Sequence, residues 1–271
     1  MKEVALVLGG GGARGLAHVH VIEAFDDLGV RPRVIVGSSI GAVIGAGYAA
    51  GMTGIEVREH ILRVLHDRSE VMSRLWRMRP TSFAKVFTLG ELDARRVLRA
   101  FLPDGLPERF DGLQVPLKVT ATDYYGNSTT VIGEGELLPA LAASIAIPAI
   151  FRPEIVAGRV HVDGGISNPV AFDLAEAPGR VVVAVDVIGA PKGEDPARVP
   201  SRIEVAFGAS QLMMQSLIAM KLKLHRPDLL VRPAVDRYRV LDFLRARDII
   251  EHTRATRAQV RSQLGRLLEA E

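Results

Sequence analysis

Ser39 stands at the centre of Gly37-Ser38-Ser39-Ile40-Gly41, between the apolar run Val34-Ile35-Val36 and a helix-like run over residues 40–50. Strand, tight turn and helix in that order hold a serine hydroxyl out on a strained bend, with a helix N-terminus behind it. A nucleophile for acyl transfer needs that placement. Gly37 and Gly41 suit a turn that leaves no room for side chains and that favours positive φ. Gly-x-Ser-x-Gly recurs by chance in many chains, so its weight comes from its position between a strand and a helix.

A second constellation precedes it: Gly9-Gly10-Gly11-Gly12-Ala13-Arg14-Gly15, directly after the apolar residues 4–8. The frame Gly10-x-Gly12-x-x-Gly15 also matches the dinucleotide fingerprint. That fingerprint requires an acid at the end of the next strand to hold a ribose, and Gly37-Ser38-Ser39 stands there instead. No Gly-Lys-Ser/Thr follows, so a phosphate-binding loop of the nucleotide triphosphatase kind is also excluded. What remains is a strand-to-helix loop of unhindered backbone N–H groups, which attracts negative charge. Beside a nucleophilic serine, that charge is the oxyanion of a tetrahedral acyl intermediate.

A serine hydroxyl is a weak nucleophile without a base. Asp163 is the prime candidate, at the end of the short apolar run Val160-His161-Val162 and before Gly164-Gly165. The residues alone leave it equally the first position of an Asp-Gly turn. A Ser-His-Asp triad is the rival. In hydrolase chain order its histidine follows the acid, leaving His225 and His252, neither on a loop of the usual kind. His18 and His20 fall on the first helix and His161 in mid-strand, all read as packed or surface residues. No spacing of histidines and carboxylates suits a metal, and none is expected.

The elements that must position these residues alternate. Strands are expected at 4–8, 34–36, 117–122, 129–132, 160–162, 180–187 and 229–232. Helices are expected at 14–28, 40–50, 137–144, 201–225 and from 244 to the end. Thr53 with Glu56 is a capping-box pattern for a helix to about residue 67, and Thr88 with Glu91 repeats it for a helix to 101. Residues 69–87 read as irregular and 189–200 as a surface loop. Alternation of this kind implies an α/β fold: a mostly parallel central sheet with helices on both faces. No repeat or linker splits the chain, so a single domain over 1–271 is expected.

Composition narrows the classes. The 271 residues are 48% hydrophobic and 24% charged, with 34 Lys and Arg against 31 Asp and Glu. The small excess of +3, spread along the chain, gives no support to nucleic-acid binding. No cysteine is present, which excludes disulfides, thiolate catalysis and cysteine-held metal. The first residues lack the long apolar core and cleavage site of a secretory leader, so a cytoplasmic location is expected. Residues 34–55 are free of charge over 22 positions, long enough for a membrane span. Their six glycines and paired serines fit a buried strand followed by a buried helix better.

Taken together, Gly-Gly-Gly-Ala-Arg-Gly, then Gly-x-Ser-x-Gly after a second strand, then a late Asp-Gly-Gly resemble the bacterial branch of the patatin-like phospholipase family. Ala121-Thr122-Asp123 and Ala143-Ser144-Ile145-Ala146-Ile147-Pro148, with Phe151 and Pro153, agree. The resemblance covers roughly residues 4–190, and residues 191–271 match loosely, as a strand and helices that complete the domain.

The resemblance implies a patatin-like variant of the α/β-hydrolase type, with a Ser-Asp dyad and no histidine. Ser39 would attack an ester carbonyl, and Asp163 would take the proton and then activate water. Gly10, Gly11 and Gly12 would form the oxyanion hole. Arg14 would brace that loop or add positive field, Gly15 would let the helix pack close, and Gly37, Gly41, Gly164 and Gly165 would support the two turns. The implied substrate is a lipid or fatty-acyl ester, with no cofactor and no calcium. An acyltransferase or thioesterase on the same dyad, and a lipid-binding regulator without turnover, are the alternatives. Peripheral contact with the inner membrane surface is expected, and oligomeric state is left open. Residues 72–80, with three arginines and Trp76, read either as a lid over an acyl channel or as a loop tucked over the core. Met213, Met214 and Met220 read as core filler.

Overall fold

The computed structural model describes residues 2–77, 92–191 and 199–269. Eight strands among these form one sheet: β1 (Glu3–Leu8), β2 (Val34–Ser38), β3 (Leu117–Asp123), β4 (Ser128–Ile132), β5 (Glu154–Val156), β6 (Arg159–Asp163), β7 (Arg180–Val185) and β8 (Leu229–Val231). The central strands run in the order β3-β2-β1-β7-β8 and are all parallel, whereas β4, β5 and β6 pair antiparallel. The helices are α1 (His18–Asp27), α2 (Ile40–Ala49), α3 (Gly54–Val64), α4 (Arg68–Arg77), α5 (Ala94–Phe101), α6 (Leu137–Ser144), α7 (Arg202–Leu224), α8 (Ala246–His252) and α9 (Ala255–Glu269).

Alternate residues of each central strand feed two cores. Val4, Leu6 and Leu8 join the larger one with α1, α2, α6, α8 and α9. Ala5 and Val7 join the smaller one, closed by Ile218 and Met214 of α7. Strands buried on both faces explain why these runs read as continuously apolar. The charge-free run over 34–55 resolves into β2 and α2 within this body. Among the described residues no helix is long and apolar enough to cross a membrane.

One detail of register positions the site. β4 pairs with residues 119–123 of β3, so it fills one edge of that strand. On the opposite edge β2 reaches Thr120 with its last residue, Ser38. There β6, running the other way, reaches Ala121 with its own last residue, Asp163. The two strands therefore meet end to end along β3, and the turn after one faces the turn after the other.

Capping follows the sequence at Thr53, where both arms of the capping box form with Glu56, and at Ser201, where Glu204 completes another. Four expectations need correction. Residues 68–77 form α4 rather than irregular chain. Helix α5 is capped by Asp93, whose carboxylate accepts the Arg96 N–H; Thr88 and Glu91 lie outside the described residues. The helix expected over 14–28 opens with a six-residue 3-10 segment, Gly12–Ala17, whose Ala13 N–H donates to Val240 O at 2.8 Å. The C-terminal helix is broken at Thr253, whose hydroxyl turns back to the Ile249 carbonyl.

Candidate active site

Ser39 carries the backbone distortion of the elbow itself. Its φ is 51° and ψ −125°, while the flanking Gly37 and Gly41 stay at negative φ. Positive φ in a residue with a side chain costs of order 1–3 kcal/mol and is retained where surrounding structure enforces it. The enforcement is visible. A Cβ on Gly41 would lie 2.1 Å from Leu8 O, and one on Gly37 would lie 2.4 Å from the Ala42 Cα, so α2 is pressed against β1 and β2. The Ser39 N–H donates to the Ser144 hydroxyl at the end of α6, at 2.8 Å.

The Ser39 hydroxyl donates to Asp163 Oδ2 at 2.6 Å. Asp163 Oδ1 accepts the Gly165 N–H at 2.7 Å, and its own carbonyl accepts the Thr122 hydroxyl at 2.8 Å. Both residues are buried, at 4% and 5% exposure. Burial pushes the Asp163 carboxyl up from 3.8 to about 6, with the hydrogen bonds from Ser39 and Gly165 opposing the shift. Such a carboxylate is a stronger base than an exposed one and is still ionised at neutral pH. Gly164 packs against the Thr120 backbone, where a Cβ would lie 2.2 Å from its carbonyl oxygen.

The glycine loop lies beside this pair. A Cβ on Gly10 would stand 3.3 Å from the Ser39 Cβ. The Gly9 and Gly10 N–H groups donate to Val185 O and Pro169 O, at 3.0 and 2.9 Å. Gly11 and Gly12 give their N–H groups to no backbone acceptor among the described residues. Gly12 has φ 58°, and a Cβ there would lie 2.2 Å from Val240 O, so glycine is required on both conformational and steric grounds. Gly15 admits the Ile40 side chain, which a Cβ would meet at 2.2 Å. Arg14 turns away from Ser39: its Nε donates to Tyr238 O at 2.6 Å and its Nη1 to Ile188 O. Below the loop, His18 Nε2 bonds Gly9 O at 2.9 Å, and burial lowers its pKa to about 4, so the ring is neutral.

Ser39 and Gly12 line an apolar cavity of about 430 Å³. Ile40, Val43 and Ile44 of α2 form one wall; Val71 and Met72 of α4 and Phe151 contribute others. The stretch over 72–80 thus begins on the cavity wall as part of a helix, while residues 78–80 lie outside the described residues. Met213 and Met220 are not core filler. They are exposed at 62% and 63% on the outer face of α7, and only Met214 packs inward.

No histidine contacts Ser39 or Asp163 among the described residues. His225 pairs with Glu176 on the surface, His252 stands edge-on to the Tyr238 ring, His20 bonds Glu23 and Ile250 O, and His161 bonds Thr130. Among the described residues no group of three or more histidine or acidic side chains gathers to hold a metal. Sequence reasoning passed over Ser144 and the Tyr238–Val240 segment. Ser144 lay inside a segment quoted whole, and nothing local marks residues 238–240 as the roof of a loop some 225 positions earlier.

The family model described as patatin-like phospholipase matches residues 6–176, which hold the glycine loop, Ser39 and Asp163. The chain belongs to this family. An uncharacterized NTE family protein of Mycobacterium tuberculosis is 35% identical over 196 residues, covering 72% of this chain and 51% of the relative. Human patatin-like phospholipase domain-containing protein 6 is 29% identical over 187 residues, 68% of this chain and 13% of that protein. A lysophospholipase of Yarrowia lipolytica is 28% identical over 279 residues, 92% of this chain and 18% of the relative. The chain thus spans about half the length or less of these patatin-like relatives. The crystal structure of VipD from Legionella pneumophila shares the fold, with a TM-score of 0.52 at 13% identity over 97% of this chain and 67% of that one. An α/β fold with a mixed sheet between helical layers is therefore common to both.

Proposed function

We propose that this chain is a serine acyl hydrolase that cleaves carboxylic esters of lipids, with Ser39 as nucleophile and Asp163 as general base. The observation that carries the reading is the 2.6 Å hydrogen bond to a buried carboxylate from the hydroxyl of Ser39, which lines an apolar cavity. Family membership and the lysophospholipase among the relatives support the substrate class.

Ser39 Oγ attacks the ester carbonyl carbon as its proton passes to Asp163 Oδ2. The carbonyl oxygen becomes an oxyanion, held by the Gly11 and Gly12 N–H groups; Gly10, whose N–H is engaged by Pro169, supplies bare backbone close to Ser39. Collapse breaks the bond to the alcohol, which leaves with the proton from Asp163. Asp163 then takes a proton from water, the hydroxide attacks the acyl carbon, and the fatty acid departs as Ser39 regains its hydrogen. A lipid surface is the partner this chemistry implies.

The test is Ser39→Ala assayed with a fatty-acyl ester and with a fluorophosphonate, which labels activated serines. Loss of labelling and of at least about 99% of turnover, with an unchanged melting temperature, is expected for a nucleophile. Retention of more than about one hundredth of wild-type turnover would remove Ser39 from that role.

A further inference from the structure

We infer that Gly47 sets the length of acyl chain the site accepts, an inference that rests on the reading of Ser39 as the acylated residue. The apolar cavity is lined by Ile40, Val43, Ile44 and Gly47 of α2. These positions recur at helical spacing, so the cavity follows one face of α2 away from the nucleophile that precedes it. Gly47 is the position on that face where the wall has no side chain. A Cβ there would meet Met52 Sδ at 3.4 Å and Val57 Cγ2 at 3.6 Å, ordinary contact distances. Met52 and Val57 line the same cavity, so a side chain longer than a methyl group at position 47 competes for its space.

The distance along the channel follows from helix geometry. Eight residues at about 1.5 Å each place Gly47 roughly 12 Å from Ser39. An extended chain advances about 1.2 Å per bond, as an extended backbone does over its three bonds per residue. Gly47 therefore stands level with about the tenth carbon of an extended acyl chain. The same cavity is lined by Met52, Val64, Leu102 and His60, whose Nε2 bonds Phe101 O at 2.8 Å and ties α3 to the end of α5. Those four residues also line a polar cleft with Glu56, Arg63, Arg99 and Asp104, where the apolar lining gives way to charge. The chemistry that fits is a long-chain fatty acyl ester whose distal half lies across the bare backbone of Gly47.

The experiment compares kcat/KM for p-nitrophenyl esters from butanoate to hexadecanoate in the wild type, Gly47→Ala and Gly47→Leu. Each protein is also labelled with a short-chain fluorophosphonate. The hexadecanoate-to-butanoate ratio is expected to fall roughly 100-fold in Gly47→Leu, the scale at which an apolar pocket rejects a chain it cannot seat. Gly47→Ala, which the measured contacts accommodate within the fold, is expected to lower the same ratio about threefold to tenfold. Labelling of Ser39 is expected in all three. Equal loss across all chain lengths, or an unchanged ratio in both variants, overturns the ruler while leaving Ser39 in place. A wild type that hydrolyses no ester and takes no label overturns both readings.

Discussion

The Ser39 N–H and the Ser144 hydroxyl, 105 positions apart in the chain, are joined by a 2.8 Å hydrogen bond. Ser144 is fully buried at the end of α6, and its acceptor meets a residue whose backbone is held at positive φ. One polar contact from a neighbouring helix thus steadies the turn that presents the Ser39 hydroxyl.

Removing that acceptor leaves a buried N–H without a partner, which costs about 1–3 kcal/mol. Ser144→Ala is therefore expected to lower the melting temperature and to slow fluorophosphonate labelling of Ser39 by about 10-fold to 100-fold. The two readouts separate the possibilities. A lowered melting temperature with unchanged labelling would make Ser144 a packing residue with no hold on the elbow.

The raised pKa of Asp163 makes two pH predictions. As a base it must be ionised, so the rate of Ser39 labelling should climb as pH rises through about 6 and level off above. Its effect on stability has the opposite sense. The folded chain keeps this proton up to about 6, whereas the unfolded chain releases it near 3.8, so folding is favoured by proton uptake between those values and stability falls as pH rises across them. Asp163→Asn removes the buried charge. It should abolish labelling yet stabilise the protein by roughly 1–3 kcal/mol at pH 8 and by little at pH 4. Equal melting-temperature changes at the two pH values would show that burial of the charge is not what shifts this group.

His225 pairs with Glu176 and His252 stands edge-on to Tyr238, and neither bonds Ser39 or Asp163. Replacing both with glutamine should change turnover by less than about twofold, as surface substitutions do. A loss of several decades in a protein that still melts cooperatively would restore the histidine triad.

Much of this arrangement was legible in the chain. The strand, glycine turn and helix around Ser39 are local, and local patterns announce themselves through apolar runs, glycine and capping residues. Asp163 was legible as a carboxylate at a strand end, but its nearness to Ser39 was not. That nearness depends on β2 and β6 meeting head to head along β3, between Thr120 and Ala121, which is a matter of register between segments about 80 and 40 positions away. Helix α4 was misread although Val71, Met72, Leu75 and Trp76 recur at helical spacing, because charged residues and serines dominate the stretch and hide a short apolar stripe. Met213 and Met220 were misplaced because the outer face of α7 is apolar, and composition does not distinguish an exposed apolar stripe from a buried one. The engagement of Gly10 by Pro169 was equally beyond the sequence, since a run of four glycines does not show which N–H groups the rest of the fold consumes.

Arg14 illustrates the same limit and supports a further test. It is 3% exposed, and burial draws its pKa down while the charges of Asp236 and Asp242 oppose the shift. Its guanidinium fork joins the carbonyls of Ile188 and Tyr238, so the loop after β1 is fastened to segments that follow β7 and β8. The neighbouring Ala13 N–H reaches Val240 O from the same side. Arg14→Ala leaves the buried Tyr238 carbonyl without a donor, at about 1–3 kcal/mol, and removes one of two donors from the Ile188 carbonyl, which keeps Gln211 Nε2 at 3.3 Å, at about 0.5–1.5 kcal/mol. An expected loss of about 1.5–4.5 kcal/mol in urea unfolding follows, together with faster amide exchange at Gly11 and Gly12. Arg14→Lys should recover less than half of that loss, because an ammonium on a single stem cannot span two carbonyls as the planar fork does. If Arg14→Ala unfolds within about 1 kcal/mol of wild type while labelling of Ser39 collapses, the residue acts through its charge on the reaction rather than through its hold on the loop.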